Sequence, residues 1–479
     1  MADNSNLDVF LNPRTVAVLG ATDRPGAWGS FIMGALLSEK FPGVVYPVNR
    51  KGGRVWGLEA APRLESIAGP VDLAVLCLPE EFLEETIEAC GKKGVKGLII
   101  ITAGLGETSP EGRRREKALA ETARSYGLRL LGPNVSGVFN LFAGFNASAG
   151  PTGFIHRTEL AAVCQGGYAI YDLLAEGFSH RLGFGKFVHT GNESDLTVTD
   201  FLELFARDPE VKGILMYLET IRDGQRFMKA AREAAEKKPV VVYKAGRTKG
   251  SARAAQSHTG ALAGSDEVFQ GMFRQLGLLS SPTMELLLPL GHALIERPPL
   301  AGPRIGIVTM GGSWGVSLTD ALEENGLVVP EPSRGLQDRL AGLGLPARAS
   351  TRNPVDFGAS GLFLSTEVLV GLSRELLGSG EIDALIVHGL GRHGLIDESS
   401  SEEARIFAEI QTAMALEVQA LEREYQRPVL IGTHHSHGES QLARNLTQKG
   451  VRVYNRLDET AQILALMLRD RTRRAARER

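Results

Sequence analysis

The stretch Ser257-His258-Thr259-Gly260-Ala261-Leu262-Ala263-Gly264 sets one imidazole between two hydroxyl side chains and a run of Gly and Ala. A neutral imidazole, with an ordinary pKa of about 6.5, is a base, a nucleophile or a metal ligand. Its small neighbours leave a substrate room to reach the ring. This loop holds a single His, so a metal would need ligands from elsewhere, and none is expected. Glu219 follows the apolar run 213–218. If that run and the run 239–244, which leads to His258, are strands ending on one edge of a parallel sheet, the carboxylate can reach the ring. It would then fix the tautomer and steady a charged imidazole. Another chemical feature is the turn Cys164-Gln165-Gly166-Gly167, which feeds the helical stretch 168–178. Backbone N–H groups and the positive end of a helix dipole make such a turn an anion site. The loop 190–195, with Gly191 and Asn192, follows a strand at 186–189.

Behind these residues lies a repeating strand–helix rhythm. Buried-strand runs at 14–20, 44–48, 73–78, 97–102 and 128–131 alternate with helical segments and predict a parallel, doubly wound sheet. Ligands bind such sheets at the carboxyl ends of the strands. The loops there hold Gly20, Thr22, Arg24 and Gly26; Asn49, Arg50 and Lys51; Pro79; Thr102 and Gly104; and Asn134. A dinucleotide fingerprint from Gly20 would need Gly where Thr22 and Pro25 stand, and the ribose-binding acid is replaced by Asn49-Arg50-Lys51. Two cations suit a ligand phosphate better than a bare ribose, which favours a phosphorylated nucleotide such as coenzyme A over NAD. A second α/β unit follows from 146. After the Pro-rich break 295–304, a third carries His388, His393, His434, His435 and His437, read as loop histidines lining a polar cleft. The expectation is three consecutive doubly wound α/β domains at 1–145, 146–296 and 297–479.

Composition narrows the classes. A net charge of −3 over 479 residues gives no electrostatic case for nucleic acid. Cys77, Cys90 and Cys164 are an odd set without metal-ligand spacing, as suits a reducing compartment. The polar start at 1–8 does not read as a signal peptide, and apolar runs fall short of the roughly 18 residues a membrane span needs. A soluble cytoplasmic protein is expected. The Arg-rich tail 469–479 reads as a solvated helix end or a disordered extension.

With these pieces placed, the chain resembles the α subunit of the ADP-forming (NDP-forming) acyl-CoA synthetases, relatives of succinyl-CoA synthetase. The most specific stretch runs from Lys244-Ala-Gly-Arg247 through Ser257-His258 to Ser265-Asp266, with Gly132-Pro133-Asn134, Gly191-Asn192 followed by Asp195, and Asn353-Pro354-Val355-Asp356 in support. The resemblance implies a Rossmann-like CoA-binding domain followed by two flavodoxin-like, succinyl-CoA synthetase-like domains. It further implies the interconversion of acyl-CoA, ADP and phosphate with acid, CoA and ATP. In that chemistry an acyl phosphate passes its phosphoryl group to His258, which Glu219 orients, and the group moves on to ADP. Coenzyme A would occupy the first-domain loops. Phosphate and a small organic acid or acyl-CoA would meet the 164–167 turn and the 191–192 loop. ADP or ATP with Mg2+ would sit on a separate ATP-grasp β subunit in an α2β2 assembly. One departure stands out. The family usually has a Ser-x-Ser-Gly type turn where this chain has Cys164-Gln165-Gly166-Gly167, so backbone donors replace two hydroxyls. That departure motivates an alternative, a non-catalytic CoA- or acyl-CoA-binding or regulatory subunit derived from the ligase.

Overall fold

The structure is a computed structural model that describes residues 7–251, 265–358, 365–390, 402–433 and 440–477. His258 with the rest of its loop, and His393, His434, His435 and His437, lie outside the described residues. The chain divides into one compact unit, Met1–Phe178 with Leu182–Gly291, and a second, Ser179–Arg181 with His292–Arg479.

The first unit holds two sheets. Strands β1 (Thr15–Leu19), β2 (Val44–Val48), β3 (Leu73–Leu76), β4 (Gly97–Ile100) and β5 (Arg129–Leu131) form a parallel sheet in the order β2-β1-β3-β4-β5. Every residue of β1, β3 and β4 is buried. Helices on both faces are what produce such unbroken apolar runs, because neither side of the strand meets water. Helices α1 (Trp28–Ser38), α2 (Leu83–Lys93) and α3 (Pro110–Ser125) supply the cover. Helix α3 starts where the Ser109 hydroxyl accepts the Gly112 N–H at 2.9 Å, with Pro110 in its first turn.

The second sheet combines β6 (Gly137–Asn140), β7 (Phe145–Ser148), β8 (Leu160–Cys164), β9 (Lys186–His189), β10 (Gly213–Leu218), β11 (Val240–Lys244) and β12 (Leu279–Ser280). Its order is β12-β11-β10-β8-β9-β6-β7. The hairpin β6–β7 pairs antiparallel onto β9, so the second sheet begins at Gly137 and the expected division at 145/146 runs through a hairpin. One apolar core continues from the first sheet into the second; Phe10 meets Phe201 edge-on at 6.2 Å and Phe41 meets Phe145 at 5.3 Å. These two sheets therefore share one apolar core within the first compact unit. Helices α4 (Ala169–His180), α5 (Val198–Arg207) and α6 (Gly224–Lys237) flank the second sheet. A reciprocal cap between Thr197 and Asp200 opens α5.

The second unit has strands β13 (Ile305–Thr309), β14 (Val355–Asp356), β15 (Ala384–His388), β16 (Val429–Gly432) and β17 (Val453–Tyr454), in the parallel order β14-β13-β15-β16-β17. The parallel strands of all three sheets share one winding, in which the second strand lies outside the first and the third lies on its other side. That order puts a crevice between the loops after the first and third strands. Residues of the Arg-rich tail continue the helix Leu457–Arg477, where Asp470 binds Arg473 and Arg474 at 2.6 and 2.7 Å. No described helix is long and apolar enough to cross a membrane.

Candidate functional site

A cleft of about 1500 Å3 opens at the carboxyl ends of the first sheet. It is lined by Gly20, Thr22, Arg24, Gly26, Asn49, Arg50, Lys51, Pro79, Thr102 and Asn134, and by Gly167 from the second sheet. Ten of the eleven loop residues expected from sequence to hold a nucleotide thus converge. Gly104 does not line the cleft, Ala103 does, and the Gly104 N–H donates instead to Glu107 Oε1 at 2.5 Å.

Local packing explains the first turn. Gly20 has φ +88° and its missing side chain would collide with the Cys77 carbonyl. Gly26, at φ +79°, faces open space, so backbone is presented where a ligand can approach. Thr22 Oγ1 accepts the Arg24 N–H at 3.2 Å. Asn49 braces the walls; its side-chain amide donates to the Ala21 carbonyl at 2.8 Å, and its Oδ1 accepts the Lys51 N–H at 2.9 Å. The Arg50 guanidinium lies over the Phe82 ring at 4.2 Å and 3.5 Å from Glu85. Thr102 donates to the Leu78 carbonyl at 2.6 Å and so ties the loops after β3 and β4 together. Arg63, from the irregular segment between β2 and β3, is a further cation lining the cleft. Cys77 lines it too, but burial pushes its thiol up to about 12 and leaves it unreactive at neutral pH.

The second-sheet residues reach the cleft through a docked pair of turns. Gly191, at φ +58°, lies so close to the Pro133 and Asn134 carbonyls that any side chain would overlap them. The Asn192 N–H donates to the Pro133 carbonyl at 3.0 Å, and the Ser194 N–H to the Gly132 carbonyl at 3.1 Å. The Asn192 side chain donates to Glu107 at 2.6 Å and also to Glu116, and so joins the two sheets. Asp195 accepts from Leu130 N at 2.9 Å, Arg129 Nε at 2.9 Å and Arg124 Nε at 3.0 Å.

Strands β10 and β11 run parallel with Leu218 opposite Lys244, so Glu219 and the segment leading toward His258 leave the same sheet edge. The Gln165 side chain fixes Glu219. Its Oε1 accepts the N–H groups of Glu219 and Thr220 at 2.6 and 3.0 Å, while its amide donates to the Thr220 carbonyl at 3.0 Å. The Gln165 side chain therefore fixes the backbone that bears the Glu219 carboxylate, which leaves backbone donors as the turn's groups for an anion, as expected. Cys164 is fully buried and its thiol is pushed far up by burial, so it too offers no group to phosphate. Gly166 and Gly167 supply bare backbone. A side chain on Gly166 would sit 3.2 Å from Glu219 Oε1 and 2.6 Å from Tyr217 Cε1. Burial, and after it the nearby Glu219 carboxylate, pushes the Tyr217 phenol up.

Sequence reasoning missed two neighbours. His189, at the end of β9, lines the cleft; its Nδ1 accepts the Ser136 N–H at 2.7 Å, and its Nε2 contacts the Gln165 carbonyl at 2.9 Å. Those partners require the tautomer protonated on Nε2, and burial lowers the ring pKa to about 4. Lys244 ends β11 over the Phe269 ring at 4.6 Å; burial lowers its pKa, while the Asp266 and Glu219 carboxylates act against that. Their signal was a polar residue closing an apolar strand.

Crevice, cations and turn together make an anion-binding cleft in an α/β protein. The CoA binding domain family matches residues 14–140, and the succinyl-CoA ligase like flavodoxin domain family matches 157–294. The chain is 39% identical over 357 residues to the acetate–CoA ligase (ADP-forming) II subunit alpha of Pyrococcus furiosus, covering 74% of this chain and 76% of that one. It is 38% identical over 386 residues to the corresponding I subunit alpha, covering 80% and 82%. Among solved structures, the acetyl-coenzyme A synthetase 1 of Ca. Korarchaeum cryptofilum, in complex with phosphate and ADP, is 30% identical with a TM-score of 0.84, covering 99% of this chain and 98% of that one. The chain belongs to the family of ADP-forming acyl-CoA synthetase α subunits.

Proposed function

We propose that the chain is the CoA-binding, phosphoryl-accepting subunit of an ADP-forming acid–CoA ligase. The observation that supports this most is the joining, in one cleft, of cationic loops from the first sheet to the Gly167 turn of the second. Arg24, Arg50, Lys51 and Arg63 hold the phosphates of coenzyme A, and the thioester end extends toward Gly167. Phosphate attacks the thioester carbonyl, CoA leaves as the thiol, and an acyl phosphate forms beside the backbone donors of Gly166 and Gly167. A nitrogen of neutral His258 takes the phosphoryl group and the acid departs. Glu219, held by Gln165, orients the imidazole and balances the charge it gains. A nitrogen nucleophile suits this task because its phosphoramidate is labile. Positioning and charge compensation supply most of the catalysis. The phosphoryl group then passes to ADP on an ATP-grasp β subunit that holds Mg2+, in an α2β2 assembly; the subunit names of the relatives support a partner.

Incubation with an acyl-CoA and radiolabelled phosphate, with the partner subunit present, is expected to place an acid-labile label on the wild type. The label should vanish in His258→Ala and fall in Glu219→Gln. A wild type that takes up no label would favour a second reading, a CoA-binding regulatory subunit. The Cys164-Gln165-Gly166-Gly167 turn, which lacks both hydroxyls, motivates that alternative.

A further inference from the structure

Strand β8 lies between β9 and β10, and its last ladder bonds alternate between the two neighbours. The Thr190 N–H donates to the Cys164 carbonyl at 2.8 Å on the β9 side, and the Gln165 N–H to the Tyr217 carbonyl at 3.1 Å on the β10 side. In a parallel ladder the next bond would run from the Glu219 N–H to the Gln165 carbonyl. That bond is replaced. The Glu219 N–H goes to Oε1 of the Gln165 side chain at 2.6 Å, and the Gln165 carbonyl faces β9, where His189 Nε2 lies at 2.9 Å. The 165–166 peptide is thus turned over relative to the ladder. A trans peptide points its N–H opposite to its C=O, so the Gly166 N–H is directed away from β9 and toward the β10 edge. Glu219 stands there, its Oε1 3.2 Å from where a Gly166 side chain would begin. Among the described residues neither the Gly166 nor the Gly167 N–H has a hydrogen-bond partner. The ring that holds the peptide is itself held. His189 is 2% exposed, and its Nδ1 accepts the Ser136 N–H at 2.7 Å and lies 3.0 Å from the Ser136 hydroxyl.

We propose that His189 is a positioning residue for phosphate: by donating from Nε2 to the Gln165 carbonyl it keeps the 165–166 peptide turned over, and so aims the Gly166 N–H at the anion. The role rests on the reading of the 164–167 turn as a phosphate site. Without that bond the carbonyl is free to return to the ladder, which would point an acceptor rather than a donor at the phosphate.

Two substitutions separate the donor from the ring. Glutamine is long enough to place an amide N–H where Nε2 stands, whereas asparagine reaches only the place of Nδ1 and serves Ser136 alone. The full chain and both variants are titrated calorimetrically with inorganic phosphate and, separately, with CoA. Phosphate affinity is expected to fall roughly 10- to 100-fold in His189→Asn, as for the loss of one hydrogen bond to a charged group. It should stay near the wild-type value in His189→Gln, with CoA affinity unchanged in both. Labelling Gln carbonyl carbons and Gly nitrogens selects the amide signals of the Gln-Gly pairs at 165–166 and 270–271. Phosphate should move the Gly166 signal in the wild type and in His189→Gln, and leave Gly271 in place throughout. Undiminished phosphate affinity in His189→Asn, equal losses in the two variants or for the two ligands, or a Gly166 signal unmoved by phosphate bound to the wild type would each overturn the role of His189 while leaving the phosphate and CoA sites standing. A wild type that binds CoA but not phosphate overturns the turn as an anion site and His189 with it. Failure to bind either ligand overturns the reading of the cleft as well.

Discussion

At the scale of single residues, the site rests on side chains whose own polar atoms are already committed. Gln165 spends its amide on the Glu219–Thr220 backbone and His189 spends both ring nitrogens on Ser136 and Gln165. Two buried titratable groups near this framework have opposite pH dependence. His189 is depressed from 6.5 to about 4 by burial. Its contribution to stability is complete above pH 6.5 and is lost as pH falls through 4. Glu193 is raised from 4.5 to about 7 by burial, despite accepting the Val198 N–H at 2.8 Å and the Thr190 hydroxyl at 3.0 Å and facing Arg222 at 3.9 Å. Its contribution is complete below pH 4.5 and is lost as pH rises through 7. Each is on the order of 3 kcal/mol, and the two oppose one another between pH 4.5 and 6.5. Relative to wild type, His189→Gln should make stability fall more steeply with rising pH in that window, and Glu193→Gln should make it rise. Denaturation midpoints at three pH values check this, and slopes that change in the same direction for both variants would refute it. The place of Glu219, just past an apolar strand that runs beside the one leading toward His258, was legible from residue type and neighbours. The role of Gln165 was not, because a one-dimensional reading cannot tell an amide aimed at a ligand from one aimed at the next strand's turn.

At the scale of elements, parallel strands covered on both faces announced themselves as apolar runs, which is why β1, β3, β4 and β10 lie where sequence put them. The hairpin β6–β7 escaped because its buried positions include Asn140, Asn146 and Ser148, whose polar groups bond one another and nearby loops rather than forming an apolar stripe. β12 and β14 escaped because two residues carry no periodicity. Arg63 escaped with the irregular segment that bears it. The clamp between the 132–134 and 191–195 turns is the element-level device that brings the second sheet's turn to the first sheet's cleft. Gly191→Ala tests it. Both the positive φ and the overlap with the Pro133 carbonyl oppose a side chain, and about 1–3 kcal/mol of stability should be lost. CoA affinity should fall with it, because Asn134 lines the cleft and is anchored to Asn192 at 3.3 Å. A variant as stable as wild type, measured by chemical denaturation, would show that the two turns are not rigidly docked.

At the scale of the whole molecule, net charge and local charge make opposite demands. The chain carries −3 overall, which repels a polyanion such as coenzyme A at long range. The cleft nevertheless gathers Arg24, Arg50, Lys51 and Arg63 at its rim. The two effects differ in reach, because the Debye length is about 10 Å at 0.1 M salt and about 3 Å at 1 M. If the overall charge governs binding, added salt screens repulsion and tightens the complex. If the rim governs, salt screens attraction and loosens it. The geometry favours the rim, since a phosphate in the cleft would meet four cations, Arg24, Arg50, Lys51 and Arg63, against two carboxylates, Glu65 and Glu85, that also line it. CoA binding is therefore expected to weaken between 0.05 and 0.5 M salt, by roughly an order of magnitude if two or three such contacts are lost to screening. Arg50→Ala/Lys51→Ala should flatten that dependence as well as weaken binding at low salt. Calorimetric titration across the series decides between the two, because affinity that rises with salt would place the nucleotide away from this rim.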